Sequence, residues 1–212
     1  KRPCFHDEYL DTFNRPNVEL VDTDGKGLEE ISENGIVFNG KEYEVDCIIF
    51  ATGFEVGTEY SRRAGYQIHG VDGKTVTQKW QNGLATFHGM HSRGFPNAFF
   101  FGPAQSGFTA TYTYSLDEQS IHLAYILEKI IDKGATRVEA SQEAEEQWIQ
   151  TIIEKARLTA DFQENCTPGY YNNEGKINQT PQNNTYGGGP IEFFSLMKKW
   201  RSKDSLEGLE IN

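Results

Sequence analysis

Two stretches of the chain are apolar without alternation, and both stop at glycine. Cys47–Ala51 is an unbroken apolar run followed by Thr52, Gly53 and Phe54. A half-exposed strand would alternate and a free-standing helix would be longer, so the run predicts a strand buried on both faces of a parallel sheet. Ala98–Phe101, closed by Gly102 and Pro103, repeats the construction. Ligands of open α/β sheets bind where strands end, and a glycine there lets backbone approach a phosphate or a flat ring. Two such endings predict a shared nucleotide-type edge; the plain alternative is a pair of core strands with glycine turns.

Around these runs the pattern predicts further elements. Asp7 to Phe13 suits a short turn or helix, Val18 to Val21 a strand, and Asp22 to Gly25 a break. Gly35–Phe38 and Lys41–Val45 alternate about Asn39-Gly40, the pair that supplies both positive-φ residues of a type I′ hairpin. Gly57 to Lys79 is a polar, glycine-rich connection with short strands expected near Tyr66–His69 and Lys74–Thr77. After the second apolar run, residues 104–113 are small and hydroxylated and lead to Ser115-Leu-Asp-Glu118, a capping-box pattern that predicts a helix start. Ile121, Ala124, Tyr125, Leu127 or Glu128, and Ile131 give that helix a broad apolar side, and Gly134 a stop. A second helix is predicted after Ser141 with Ala144, Trp148 and Ile152 inward, and a last one from Pro190 with Phe193, Met197 and Trp200 inward. Phe162 to Gly189 lacks periodicity and predicts a long loop.

Composition narrows the function. The 212 residues carry a net charge of −11, which excludes nucleic acid and anionic membrane surfaces as partners because both require a basic face. A phosphorylated cofactor then needs backbone amides, a helix N-terminus and a few placed cations. Three distant cysteines, with no paired spacing, predict a reducing, cytoplasmic setting. No apolar run reaches membrane-spanning length and no targeting segment is visible. His88 and His91 lie among glycines in an expected flexible loop, with no acidic or thiol ligand at matching spacing, so no metal site is predicted. Lys1 and Arg2 are adjacent cations in an acidic chain: a guanidinium can hold a developing oxyanion and an ammonium a phosphate, while a solvated basic pair is the plain alternative.

Taken together, Lys1-Arg2-Pro3, Phe13-Asn14-Arg15-Pro16-Asn17-Val18, Asp46 with Ala51-Thr52-Gly53-Phe54, Trp80 with Gly83, Thr86 and Gly89, Phe95-Pro96-Asn97 with Phe101-Gly102-Pro103, and Cys166 to Gly175 resemble the C-terminal part of the Baeyer–Villiger monooxygenases. The resemblance implies an α/β fold of the two-dinucleotide-binding-domain flavoprotein type, with residues 1–52 completing an NADPH-binding domain and 53–212 an FAD-binding domain. It implies FAD and NADPH as cofactors, and an oxygen atom from O₂ inserted beside a ketone carbonyl to give an ester or lactone. Arg2 matches the family's active-site arginine and Lys1 the lysine near the NADPH 2′-phosphate. Thr52, Gly53, Phe54, Gly102, Pro103, Ser106, Gly107 and Tyr170 match cofactor-binding positions, and Phe108, Thr109 and Ala110 the substrate pocket. Tyr170 stands where some relatives carry a tryptophan. Neither Gly-x-Gly-x-x-Gly fingerprint occurs, which implies a missing N-terminal portion of the same protein as partner. The alternatives are nitrogen or sulfur oxygenation by a related flavoprotein, or a fragment that binds no cofactor alone.

Overall fold

A computed structural model of the protein describes residues 4–53, 60–156, 165 and 180–212. The chain divides into two compact units, Lys1–Gly53 and Phe54–Asn212. In the first, helix α1 (Tyr9–Thr12) precedes an antiparallel sheet of β1 (Glu30–Ile31), β2 (Gly35–Phe38) and β3 (Lys41–Glu44), in the order β1-β2-β3. Asn39 and Gly40 have φ of 52° and 70°, and Phe38 pairs with Lys41, so the hairpin is tight and left-handed at both turn residues as predicted.

Two expectations fail in this unit. Val18–Val21 forms no strand, and neither does Cys47–Ala51. Among the described residues Asp46–Gly53 has no backbone hydrogen-bond partner, and Ile49 and Phe50 are 85% and 67% exposed. The physical reason is pairing: a strand exists through its neighbours, and among the described residues none lies alongside.

The second unit is mainly helical. Short helices α2 (Tyr60–Ala64) and α3 (Val76–Lys79) lead to α4 (Tyr112–Asp132), β4 (Val138–Ala140), α5 (Gln142–Lys155), α6 (Pro190–Ser202) and β5 (Leu209–Ile211). Its core joins Ile126 and Ile130 of α4, Trp148 and Ile152 of α5, and Phe193 and Trp200 of α6. A smaller cluster holds Val76, Phe95 and Phe100. β4 and β5 pair antiparallel, Val138 opposite Ile211, a contact that three-residue strands are too short to announce in sequence.

Several elements here also depart from expectation. Ala98–Phe101 forms no strand: Phe100 is buried and its N–H donates to Met90 O at 2.9 Å, while Phe101 is exposed. Tyr66–His69 and Lys74–Thr77 reduce to one bridge, His69 with Thr75, because Thr75 and Gln78 instead close a capping box that starts α3. α4 begins at Tyr112, before the predicted capping box, and Ser115 is buried inside it. The buried face of α4 is Ser115, Gln119, His122, Ile126 and Ile130; of the expected apolar side, Ile121, Leu127 and Ile131 are exposed, while Tyr125 packs half-buried against the core. α5, capped by the Ser141 hydroxyl accepting Ala144 N–H at 3.1 Å, and α6, with Pro190 at its start, form as predicted.

Candidate functional site

The described site residues gather at the loop from Gly102 to Thr111 and the start of α4. The loop's rear is fixed by Gln105, a fully buried side chain on a backbone at φ 53°. Its carboxamide accepts the Thr86 N–H at 3.2 Å and the Thr86 hydroxyl, and donates to Leu84 O and Gln182 O, each at 2.8 Å. Its own N–H donates to Asn184 O at 2.9 Å, and its carbonyl accepts the Trp148 indole N–H at 3.1 Å. A non-glycine residue persists in the left-handed region when its surroundings over-determine it, and these six bonds do so.

Ser106 is also fully buried; its hydroxyl donates to Gly102 O at 2.5 Å. At Gly107 a Cβ would lie 2.7 Å from the Phe193 ring, so glycine is what lets the loop close onto α6. Beyond Gly107 the chain turns outward: Phe108 is 40% exposed, Thr109 half-buried and Ala110 exposed. The rings of Phe108 and Tyr112 meet at 5.8 Å. Thr111, the residue before α4, makes no side-chain cap, and no acidic residue stands in the first turn. Asp117 and Glu118 come too late to satisfy that end. The N–H groups at the start of this 21-residue helix therefore face an exposed surface of small and aromatic residues.

That donor set suits an electron-rich flat ring: uncapped helix N–H groups, small residues beside them and an aromatic wall. FAD fits the chemistry of these residues at its ring end. Phosphate-cradling loops of the fingerprint type are absent from the sequence, so the remainder of such a cofactor must be held elsewhere.

Thr52 and Gly53 are exposed at the end of the first unit, Gly53 at φ 85°. Lys1, Arg2, Phe54 and Tyr170 lie outside the described residues. His88 and His91, expected in a flexible loop, are buried instead, as is His122 of α4; His88 stacks on Phe87 at 3.7 Å and is edge-on to Trp148 and Trp200. Among the described residues, no group of His, Cys, Asp and Glu is arranged to hold a metal ion. Two polar residues that sequence reasoning missed, Ser115 and Gln119, reach the loop from the buried face of α4. The signal was their spacing of four ahead of His122, Ile126 and Ile130, a face less apolar than its rival and therefore passed over.

No family model matches the chain. It is 49% identical over its whole length to a neopentalenolactone D synthase of Streptomyces avermitilis, covering 36% of that protein. It is 43% identical, again over its whole length, to Baeyer–Villiger monooxygenase ATR8 of Stachybotrys chlorohalonatus, covering 34%. Among solved structures, the polycyclic ketone monooxygenase of Thermothelomyces thermophila superposes on the whole chain with a TM-score of 0.87 and 38% identity, over 35% of its own length. A cyclohexanone monooxygenase from Rhodococcus sp. Phi1 bound to NADP+ matches at 0.77 and 27%, over 39% of its length. The chain thus spans about a third of the length of the curated relatives it matches. It is homologous along that whole span to Baeyer–Villiger monooxygenases and carries part of the α/β fold of two-dinucleotide-binding-domain flavoproteins.

Proposed function

We propose that the intact protein containing this chain is an FAD- and NADPH-dependent Baeyer–Villiger monooxygenase, converting a small-molecule ketone and O₂ to an ester or lactone. The observation that carries this reading is the whole-length likeness, 38% identical at a TM-score of 0.87, to a polycyclic ketone monooxygenase. FAD, when bound, supplies the oxygen-transfer chemistry and NADPH the reducing equivalents.

The chain's own residues bind, orient and exclude water. The N–H groups at the start of α4 present partial positive charge to the electron-rich side of the flavin ring. Gly102 and Pro103 approach it with backbone, while Ser106 and Gly107 hold the loop from behind. Phe108, Thr109 and Ala110 line the ketone side, where apolar surface keeps water from the reacting carbonyl. Arg2 holds negative charge as it develops on oxygen, since a guanidinium stays protonated at any working pH. Lys1 contacts the NADPH phosphate, and Tyr170 the nicotinamide side. Thr52, Gly53 and Phe54 form the crossing between residues 1–52, assigned to the NADPH-binding domain, and 53–212, assigned to the FAD-binding domain. The chain spans about a third of its relatives' length, and the phosphate-binding loops belong to the part of the protein outside that span. Cytoplasmic residence suits three cysteines far apart in the sequence with no paired spacing. Among the described residues no helix is long and apolar enough to cross a membrane.

The test is the intact protein purified with its flavin, supplied with NADPH, O₂ and a panel of monocyclic and polycyclic ketones. The expected result is retained FAD, ketone-stimulated NADPH oxidation and a product heavier by one oxygen atom. A protein that retains no FAD, or that oxygenates only amines or sulfides, overturns the reading.

A further inference from the structure

We propose that Gln119 is a positioning residue for the cofactor loop, resting on the flavoprotein reading above: from the buried face of α4 it ties the loop's entry to the helix that begins at the loop's exit. Gln119 is buried, and its carboxamide meets both backbone polar groups of Gly102, accepting the N–H at 3.3 Å and donating to the carbonyl at 2.9 Å. That arrangement defines the amide's orientation, because Gly102 offers one donor and one acceptor. The same carbonyl receives the Ser106 hydroxyl at 2.5 Å.

One turn earlier, the buried Ser115 hydroxyl accepts Thr109 N–H at 3.1 Å and lies 3.2 Å from the Thr109 hydroxyl, which donates to Thr111 O at 2.5 Å. Residues 115 and 119 stack on one helix face. The two ends of the loop are therefore pinned to a single rigid element, and the loop cannot shift without the helix start. Packing alone does not ask for this. A burying helix face is better served by leucine, since a buried amide is tolerated only when its bonds are made. Polar residues placed there, each spent on loop backbone, point to a role in holding position.

In the intact protein, Gln119→Glu keeps the side chain's shape. While its carboxyl is protonated both bonds to Gly102 persist; once ionised it keeps the bond from the N–H and faces the Gly102 carbonyl with negative charge. Compared with wild type at the same pH, the protonated variant is expected to match in amide hydrogen exchange over Gly102–Thr109 and in FAD reduction potential. On ionisation the loop amides are expected to exchange about tenfold faster, the loss of roughly one hydrogen bond. The potential is expected to shift downward, as the helix start ceases to be held against the reduced ring's charge. Ser115→Ala, which frees the other end without adding charge, is expected to speed exchange at Thr109. A Gln119→Glu protein that still matches wild type once its carboxyl has ionised, or a Ser115→Ala protein with unchanged exchange at Thr109, overturns the positioning role and leaves the flavoprotein reading standing. Faster exchange with an unmoved potential does the same, since a merely structural contact would behave so. A wild-type protein that retains no FAD overturns the reading, and this proposal with it.

Discussion

His88, His91 and His122 sit in the core of the second unit as neutral rings. Burial lowers all three, His91 to about 4 and His122 to about 3, with His91 and the Arg201 guanidinium adding to the burial of His122. Arg201 lies 3.3 Å from His122 Nδ1, and since a guanidinium only donates, that nitrogen is the acceptor and Nε2 carries the proton. Unfolded histidines take up protons below about pH 6.5, whereas these do not until far lower pH. The folded state is therefore unpenalised above that value and loses about 1.4 kcal/mol per ring for each pH unit below it, down to the folded values. Unfolding followed through Trp148 and Trp200, which touch His88, should give a urea midpoint that is flat above pH 7 and falls steeply toward pH 5. A steady midpoint across that range would contradict the neutral core. At Gly107, substitution by Ala drives a methyl into the Phe193 ring, an overpacking expected to cost about 1–3 kcal/mol and readable as a lowered denaturation midpoint. Neither result was legible in sequence: a histidine among glycines looks like a loop until its neighbours are known, and Phe193 is distant along the chain.

Elements here depend on a few buried charges. Glu145 of α5 is buried, with its carboxylate 2.6 Å from Lys79 Nζ at the end of α3 and accepting Arg93 N–H at 2.7 Å. Lys79→Met leaves that carboxylate buried with only Arg93 N–H and the Ser92 hydroxyl, which donates to it at 3.3 Å, and should cost about 2–3 kcal/mol, less than for a carboxylate left with no donor. A double-mutant cycle with Glu145→Gln checks it: the second change should recover part of the loss. At this scale the sequence was informative where the pattern was local. The Asn39-Gly40 hairpin, α5 and α6 needed only turn chemistry, a cap and a period. α4 formed as a helix with its buried face shifted from the expected one: Ile126 and Ile130 pack inward, and in its first turns the inward places go to Ser115 and Gln119, which bond loop backbone.

For the whole molecule, the unpaired run before Gly53 is the largest departure. Its exposed Ile49 and Phe50 predict that the isolated 212-residue chain binds a hydrophobic dye strongly and associates at micromolar concentration. Ile49→Asp should weaken both effects in the isolated chain without altering the hairpin, while in the intact protein it should lower thermal stability. Unchanged stability of the intact variant would show that Ile49 stays exposed there, and that the run is no central strand.

Local pattern alone determined the Asn39-Gly40 turn, the starts of α5 and α6, and which runs are apolar enough to need neighbours. The order of motifs along the chain was enough to reveal the family resemblance. Only tertiary structure decided which face of α4 is inside, that three histidines are core, and that Gln105, Ser115 and Gln119 hold the loop. Those outcomes depend on hydrogen-bond partners and packing surfaces brought from far along the chain, which no local window contains. The apolar run at Cys47–Ala51 marks the same boundary from the other side: its sequence states a need for neighbours, and only strands placed beside it can make it a strand.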